Sequence, residues 1–306
     1  MQRSATGSRT WAADADAEQA FSTSEQPDRL VITRAGQAVA EYVFADPTIL
    51  RPYFADLHAP GGNRVTRNHP PRPEVDETDH EQMHPGVWLA FGDINGIDFW
   101  RNRGRFRHLR FGEPPTVTDN QLRFVTQSQL ETPDGQVLGM LTSRFLLASR
   151  PAGRFLIWDA TFSTPRGELA FGDQEEMGFG ARVATPLTEK NGGQLSGSTG
   201  LTTAAATWGQ PADWCGDYSG QIDECRCGIT LMAAPENFRP SWWHNRDYGP
   251  FVANPFGRGA MKQGPPSAVR VVAGEELRLR FAAVLHDGQH YDPAEAYQEF
   301  RGLLRP

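Results

Sequence analysis

The chain has 306 residues, of which 39% are hydrophobic, and a formal net charge of −7 at pH 7. Its uninterrupted apolar runs are short, as in 281–285, whereas a membrane-spanning helix needs about 20 apolar residues, so an integral membrane protein is excluded. The acidic balance, without a block of Lys or Arg, argues against a nucleic-acid partner and favours chemistry on a small molecule.

The first 28 residues are rich in Ser, Thr, Ala, Asp and Glu and contain no apolar core of the kind that a secretory signal requires. We therefore predict a disordered tail over residues 1–28 and a cytoplasmic protein. Residues 29–306 are predicted to form one domain, because all-β domains reach about 250 residues. The cysteines at 215, 225 and 227 are clustered and odd in number, which favours a reducing compartment.

From Leu30 onward, short apolar segments with two-residue alternation are typical of half-buried β-strands. Leu122 and Phe124 lie in one such segment, and 277–281 forms another. Arg154–Phe162 is apolar on both faces, which predicts a central strand covered on each side. The letters T-P-D-G at 132–135 predict a hairpin turn. The chain is therefore predicted to be all-β, a single large antiparallel β-sandwich.

One helix is predicted at the end of the chain, with Asp292 as N-cap and Pro293 as its first residue, and we expect it to pack on the sandwich edge. Residues 60–85 are rich in Pro, Gly, His and Asp and show no apolar period. A loop of this length within a compact domain is predicted to be functional.

His80 and His84 are four residues apart, a spacing that on a helix would direct both imidazoles to one face, as a metal site requires. Pro85 and Gly86 would end such a helix, so a loop is favoured. Two interpretations remain open: a divalent metal bound by His80 and His84, or hydrogen-bonded loop histidines. His84 lies directly before a predicted strand and is also a candidate for catalysis or substrate binding.

The letters G-D-I-N-G-I-D offer oxygens from Asp93 and Asn95 at alternate positions, as a calcium loop does, but the closing Glu of that loop is absent and a turn is favoured. Tryptophans at 88, 100, 242 and 243 could stack on a sugar or belong to the core. Glu176 and Arg182, in an acidic segment that continues into a strand, could form a general acid/base set with a histidine.

Four strings resemble the PmoA-like family of bacterial proteins, also called methane oxygenase PmoA, and the resemblance spans about residues 30–302. They are H-P-G-V-W-L-A-F-G-D-I-N-G-I-D-F-W, E-E-M-G-F-G-A-R-V-A, W-G-Q-P-A-D-W-C-G-D-Y-S-G and P-E-N-F-R-P-S-W-W-H-N-R-D-Y-G-P-F-V-A-N-P-F-G. The label implies a copper-dependent membrane oxygenase, but this acidic chain has no membrane span, so we interpret the label as a misnomer.

The resemblance implies a β-sandwich of the galactose-mutarotase type and a role in carbohydrate metabolism. It also implies a cleft lined by His84, Trp88, Asp93, Asn95, Glu176, Arg182, His244, Arg246, Tyr248 and Asn254. Met83 and Pro85 interrupt the denser histidine cluster that the family usually has, which weakens a metal role for it.

The leading hypothesis is a carbohydrate-active enzyme, a lyase, hydrolase or epimerase, that cleaves or rearranges a sugar or keto-glycoside by proton transfer. His84 and His244 are the predicted acid/base residues, with Glu176 as partner base and Tyr248 as a further catalytic residue. The predicted substrate-binding residues are Trp88, Asp93, Asn95, Arg182, Trp243, Arg246 and Asn254. A sugar-binding module without catalysis and a metal-dependent oxygenase are the alternatives, no cofactor is firmly predicted, and the sequence does not give the oligomeric state.

Overall fold

Antiparallel strands make up most of the structure, a computed structural model that describes residues 20–118 and 120–305. Within these residues the strands form a nine-stranded, an eight-stranded and a two-stranded sheet. The predicted all-β class, with strands paired antiparallel and a short C-terminal helix, is confirmed.

The nine-stranded sheet contains, in spatial order, β1 (Phe21–Glu25), β2 (Arg29–Arg34), β3 (Gln37–Val43), β4 (Tyr53–Ala55), β5 (Val87–Phe91), β11 (Met177–Arg182), β17 (Pro250–Asn254), β16 (Ser241–Asn245) and β13 (Pro211–Ala212). The eight-stranded sheet contains β12 (Gln194–Gly197), β14 (Trp214–Ile222), β15 (Cys225–Ala233), β19 (Glu276–Asp287), β9 (Gly153–Ser163), β8 (Val137–Arg150), β7 (Gln121–Glu131) and β6 (Arg105–Thr118). β10 (Glu168–Phe171) and β18 (Val269–Val272) form the small sheet.

Two α-helices are described, α1 (Ala204–Thr207) and α2 (Pro293–Leu303), together with 3-10 turns at Thr185–Leu187 and Glu189–Asn191. Neither α-helix has the length and apolar character that a membrane span requires.

The main core lies between the two large sheets and is built from the inward side chains of both. Phe54 of β4 meets Trp158 of β9 with ring centroids 5.9 Å apart, and Phe179 of β11 stacks on Phe281 of β19 at 5.3 Å. Because side chains alternate along a strand, the neighbours of these residues point to the outer faces of the sheets. The residues on the outer face of the nine-stranded sheet are therefore those that alternate with the core residues along each strand.

The strand predictions agree with the structure. β9 lies between β19 and β8 and is buried on both faces, as the apolar segment Arg154–Phe162 predicted. The T-P-D-G turn joins β7 to β8, where the Gly135 amide donates to the Thr132 carbonyl. Asp292 caps α2 through a 2.8 Å hydrogen bond from the Ala294 amide.

Two structural predictions were wrong. α2 packs on the outer face of the eight-stranded sheet and not on an edge, because Ala296 and Phe300 cover outward apolar residues of its central strands, such as Ile157 and Val284. The tail predicted to extend to residue 28 contains β1, which pairs with β2 along its length and buries Phe21. Residues 1–19 of that predicted tail lie outside the described residues.

Candidate functional site

The outer face of the nine-stranded sheet carries a row of residues fixed by strand register. Gly180 of β11 lies opposite Trp88 of β5 on one side and Val252 of β17 on the other, and Val252 lies opposite His244 of β16. In the next row, Arg182 lies opposite Pro250, whose carbonyl accepts from the Arg246 amide. Four strands thus bring together side chains from distant parts of the chain.

Gly180 is required by the packing of Trp88. A Cβ at position 180 would lie 2.7 Å from the indole, so only glycine lets the ring lie flat on β11. Trp88 is fully buried, beside Trp100 at 5.6 Å and under the ring of His84 at 5.2 Å, with its plane within 12° of that of His84. The predicted sugar platform Trp88 is therefore covered by His84, and His84 in turn has a rigid support.

Asp79, His80, His84 and Arg182 form the first polar group of this face, which we call the Asp79 set. Arg182 donates to both Asp79 oxygens, at 3.0 and 2.7 Å, and its Nη1 lies 3.4 Å from Nδ1 of His84. Nδ1 of His80 lies 2.7 Å from Asp79 Oδ2, and the two imidazoles stack with centroids 5.2 Å apart. The loop predicted to be functional thus places both histidines beside a buried arginine.

Two further buried arginines hold the backbone of this loop. Arg67 donates to the carbonyls of Glu77 and Asp79 at 2.8 and 2.7 Å, and Arg51 donates to the carbonyl of Met83 at 2.8 Å. Both side chains are almost fully buried. A segment without helix or strand is therefore fixed in position, as an active-site loop needs to be.

The charges of the Asp79 set decide its protonation. Burial alone would raise the pKa of Asp79, but hydrogen bonds from Arg182 and His80 and the charges of both arginines hold it well below its usual range. Burial, with Arg182, His80 and Arg67 nearby, lowers the pKa of His84 far below its usual value. At neutral pH, Asp79 is therefore ionised and His84 is neutral.

His244, Glu175 and Arg246 form the second polar group, the Glu175 set. Glu175 Oε2 lies 2.8 Å from Nδ1 of His244 and 2.8 Å from Nη2 of Arg246. The contact with His244, together with the charge of Arg246, lowers the pKa of Glu175 to about 2 against the opposing effect of burial. Glu175, and not the predicted Glu176, is the carboxylate beside His244.

Tyr248 lies between the two sets. The guanidinium of Arg182 stands 4.8 Å from the centre of its ring and Nζ of Lys190 stands 5.6 Å away, while His80 is stacked at 6.2 Å. Burial raises the pKa of Tyr248, so its hydroxyl stays protonated at neutral pH. Tyr248 thus provides a neutral hydroxyl between two histidine sets.

Glu176 and Asn254 hold other roles than those predicted. Glu176 Oε1 pairs with Arg101 at 2.9 Å, so it is not the base partner of a histidine. Asn254 is fully buried; its amide donates to the carbonyls of Gln174 and Glu175, and its oxygen accepts from the amides of Phe256 and Gly257. With every hydrogen-bonding position used, Asn254 fixes the backbone that carries Glu175.

Three predicted substrate-binding residues are structural. Trp243 points into the core, fully buried, with Nε1 donating to the Ala212 carbonyl at 3.0 Å, and Trp242 is the neighbour that faces outward. Asp93 accepts from the Gly96 amide within a tight turn, and Asn95 ties that turn to β10 through Glu168 and Ala170. These side chains are occupied by the fold, as strand alternation and turn chemistry dictate.

The Asp79 set was also tested as a metal site. Asp79, His80 and His84 each place one ligand atom within 4.8 Å of the others. The two imidazole rings, however, stack on each other with centroids 5.2 Å apart and planes 29° apart, an arrangement of packed rings. Both Asp79 oxygens already bind Arg182, whose cation also faces His84. As arranged, the three side chains do not fit a metal ion.

Asp79, Glu175, Arg67 and Lys190 were not predicted as site residues. Asp79 precedes His80 and Glu175 precedes Glu176, so each was adjacent to a named candidate. Arg67 lies within the predicted functional loop 60–85 and Lys190 lies in the 3-10 turn Glu189–Asn191, but no local pattern in the sequence singles out either residue.

The two histidines are held in opposite proton arrangements. An arginine can only donate, so Nδ1 of His84 accepts and its proton lies on Nε2. Nδ1 of His244 faces the Glu175 carboxylate, which can only accept, so in the neutral form of the ring the proton is favoured on Nδ1 and the lone pair lies on Nε2. Neither Nε2 has a hydrogen-bonding partner in the described part of the protein, and both are open to solvent. One ring can donate a hydrogen bond and the other can take up a proton.

Comparison with known proteins gives a family. The family model "Family of unknown function (DUF6807)" matches residues 29–301. No curated protein sequence matches the chain significantly. The match does not mention the PmoA-like family, so that resemblance stays a prediction.

Two solved structures are similar over most of the chain. Galactose 1-epimerase from Lactobacillus acidophilus NCFM is 10% identical, with 88% of this chain and 98% of that chain covered and a TM-score of 0.44. The protein HI1317 is 8% identical, with 87% and 99% covered and a TM-score of 0.30. At these values neither structure assigns a substrate or a residue role to this chain.

Proposed function

We propose that this chain, which belongs to the DUF6807 family of unknown function, binds a carbonyl-bearing sugar on the outer face of its nine-stranded sheet and transfers protons on it. The observation that carries the proposal is the opposite proton arrangement of His84 and His244 on one face of one sheet. A histidine whose Nδ1 is engaged by a neighbour presents its Nε2 to a ligand in a defined role, as donor or acceptor, which is what acid–base catalysis requires.

The spacing of the two sets suits a small substrate. Arg182 lies at the end of β11 and Arg246 directly after β16, with β17 between these two strands, and two strand spacings amount to about 10 Å between backbones. Trp242 and Trp208 are half-buried on this part of the molecule, and Arg246 stands 5.9 Å from the Trp208 ring. Such indoles suit the apolar face of a sugar.

The proposed chemistry uses the carbonyl to acidify the neighbouring carbon. Nε2 of His244 takes the proton from that carbon, and the C–H electron pair moves to the carbonyl oxygen to give an enolate. Nε2–H of His84 donates a hydrogen bond to this oxygen. Arg182 donates to Nδ1 of the same ring, which keeps the proton of His84 on Nε2. Glu175 balances the imidazolium formed on His244.

Two outcomes complete the reaction. A proton delivered by water to the opposite face of the carbon gives the epimer, and His244 then releases its own proton to water. Alternatively, the enolate electron pair expels an oxygen substituent from the next carbon, and that oxygen leaves with the proton carried by His244. Both outcomes begin with the same C–H cleavage, and neither needs a carboxylate nucleophile.

The test is hydrogen exchange followed by NMR in D₂O with a panel of keto-sugars, keto-glycosides and their alcohol parents. We expect deuterium uptake next to the carbonyl of a keto-sugar and none in the alcohols. His244→Asn should slow the exchange by about 10²–10⁴-fold, the usual contribution of a general base. His290→Asn, at an exposed histidine beside the other sheet, should have no effect.

Three results would contradict the proposal in distinct ways. Saturable binding of sugars with no exchange would make the chain a binding module. Exchange at the wild-type rate in His244→Asn would remove His244 as the base. Exchange that is lost on treatment with a chelator and restored by a metal would return His80 and His84 to the role of ligands.

A further inference from the structure

A cavity lies between the segment that follows β3 and the start of β6, and we call it the Arg105 cavity. Its volume is about 540 Å³, and its lining comes from residues 44–51 and 105–108 together with Pro27. None of the Asp79 or Glu175 residues contributes to it, so it is separate from the site described above.

The cavity has an excess of positive charge. Arg105 is exposed and forms no ion pair or side-chain hydrogen bond among the described residues. Arg51 is 2% exposed and donates to carbonyl and amide oxygens, but no carboxylate pairs with it in the described part of the chain. Asp46 is the one acid among the lining residues, and Thr48, Ile49 and Tyr53 already donate to its oxygens.

A buried cation without a counter-ion is costly. Desolvation lowers the pKa of Arg51 to about 10, and its Nε is buried with no hydrogen-bond partner in the described structure. An anion in the cavity would offset the cost of burying Arg51, because opposite charges attract more strongly where water is excluded.

The other wall of the cavity is aromatic and apolar. Phe44 lies against His108 with ring centroids 4.6 Å apart, and Leu50 and Phe106 extend the apolar surface. Burial lowers the pKa of His108, so this ring is neutral, and its Nδ1 is buried with no partner among the described residues. A flat ring suits this wall better than a fully hydrated ion does.

We propose that this cavity binds a small organic anion, with its charged oxygens at Arg105, in the field of the buried Arg51, and a flat apolar ring against Phe44 and Phe106. The anionic group is a carboxylate or a phosphate ester, since arginine binds both through paired hydrogen bonds. The inference does not depend on the function proposed for the sheet face.

The test uses benzoate and phenyl phosphate as probes of the full chain, with calorimetry for affinity and NMR of the histidine rings for location. Benzamide controls for shape without charge, and acetate controls for charge without the ring. We expect at least one aromatic anion to saturate the protein and to shift the signals of His108 but not those of His84. Benzamide should bind at least about tenfold more weakly because it lacks the charge, and acetate should also bind at least about tenfold more weakly because it lacks the apolar ring.

Arg105→Gln should weaken the aromatic anion about tenfold or more. Its matched control is Arg123→Gln, at an exposed arginine on β7 outside the cavity. Equal binding of benzamide, unchanged affinity in Arg105→Gln, or no saturation by either aromatic anion would overturn the inference.

Discussion

Replacing Asp79 with Asn should destabilise the protein markedly, because Asp79 is the carboxylate that faces two buried arginines. Arg67 and Arg182 are each 1% exposed at their side chains, while Asp79 is 31% exposed. Loss of one partner of a fully buried ion pair costs about 3–5 kcal/mol. Asn keeps one accepting oxygen and Asp79 is partly hydrated, so we expect a loss of about 2–4 kcal/mol in the free energy of unfolding.

Urea unfolding followed by tryptophan fluorescence measures this loss, with Asp28→Asn as the matched control. The pair of Asp28 with Arg29 is 42% and 34% exposed, so its removal should cost about 1 kcal/mol or less. If Asp79→Asn loses no more than Asp28→Asn, then the arginines do not need the carboxylate and our account of the Asp79 set is wrong.

The pH dependence provides a second check of the same variant. The pKa of Asp79 is lower in the folded protein than in the unfolded chain, where an aspartate titrates near about 3.9. Its contribution is therefore complete above about pH 4 and is lost as the pH falls. The difference in unfolding free energy between wild type and Asp79→Asn should be constant from about pH 5 to 7 and should shrink as the pH falls below about 4. A difference that grows as the pH falls would contradict the sign of this argument.

Three further predictions follow from the placement of single residues. Asn254→Ala should lower kcat/KM of the proposed exchange about tenfold or more, because it removes the hydrogen bond that holds the Glu175 carbonyl. An unchanged kcat/KM in a correctly folded variant would show that Asn254 does not position Glu175. Trp243→Ala should lower the free energy of unfolding in urea by about 3–5 kcal/mol, because this indole is buried in the core. Trp242→Ala should change it by no more than about 1 kcal/mol and should weaken sugar binding. A larger loss in Trp242→Ala than in Trp243→Ala would show that Trp242 is the core residue. Added Zn²⁺ should not raise the melting temperature of the protein, because both Asp79 oxygens already bind Arg182; a rise that His84→Asn abolishes would show that the Asp79 set can bind a metal ion.

The fold could be predicted from the sequence because its signals are local. Alternation in 277–281, the double-sided apolar segment Arg154–Phe162 and the cap at Asp292 each depend on residues within one element. β1 escaped prediction because it is a short edge strand in which only Phe21 is buried, so no alternation marks it.

The site was predicted in part, because it depends on register between distant strands. Arg182 and His84 are 98 residues apart in the chain, and nothing in either segment indicates that β11 pairs with β5. Strand direction also decides which of two adjacent tryptophans, Trp242 or Trp243, faces the core, and a shift of one residue reverses the assignment. Glu175 and Glu176 precede β11 in a segment without regular structure, so no alternation in the sequence indicates which of the two faces His244.

The structure separates the residues that react from those that hold them in position. His84 and His244 keep open Nε2 atoms, while Asn254 has every hydrogen-bonding position used and Gly180 has no space left beside the Trp88 ring. A site of this type is preorganised, since the groups that face a ligand need not reorient when it binds. Arg51 connects the histidine loop to the Arg105 cavity. Its guanidinium donates to the carbonyl of Met83, one residue from His84, and the same side chain lines the cavity. An anion bound there would act on the support of the histidine loop, and exchange rates measured with and without the aromatic probe would show whether it changes the chemistry as well.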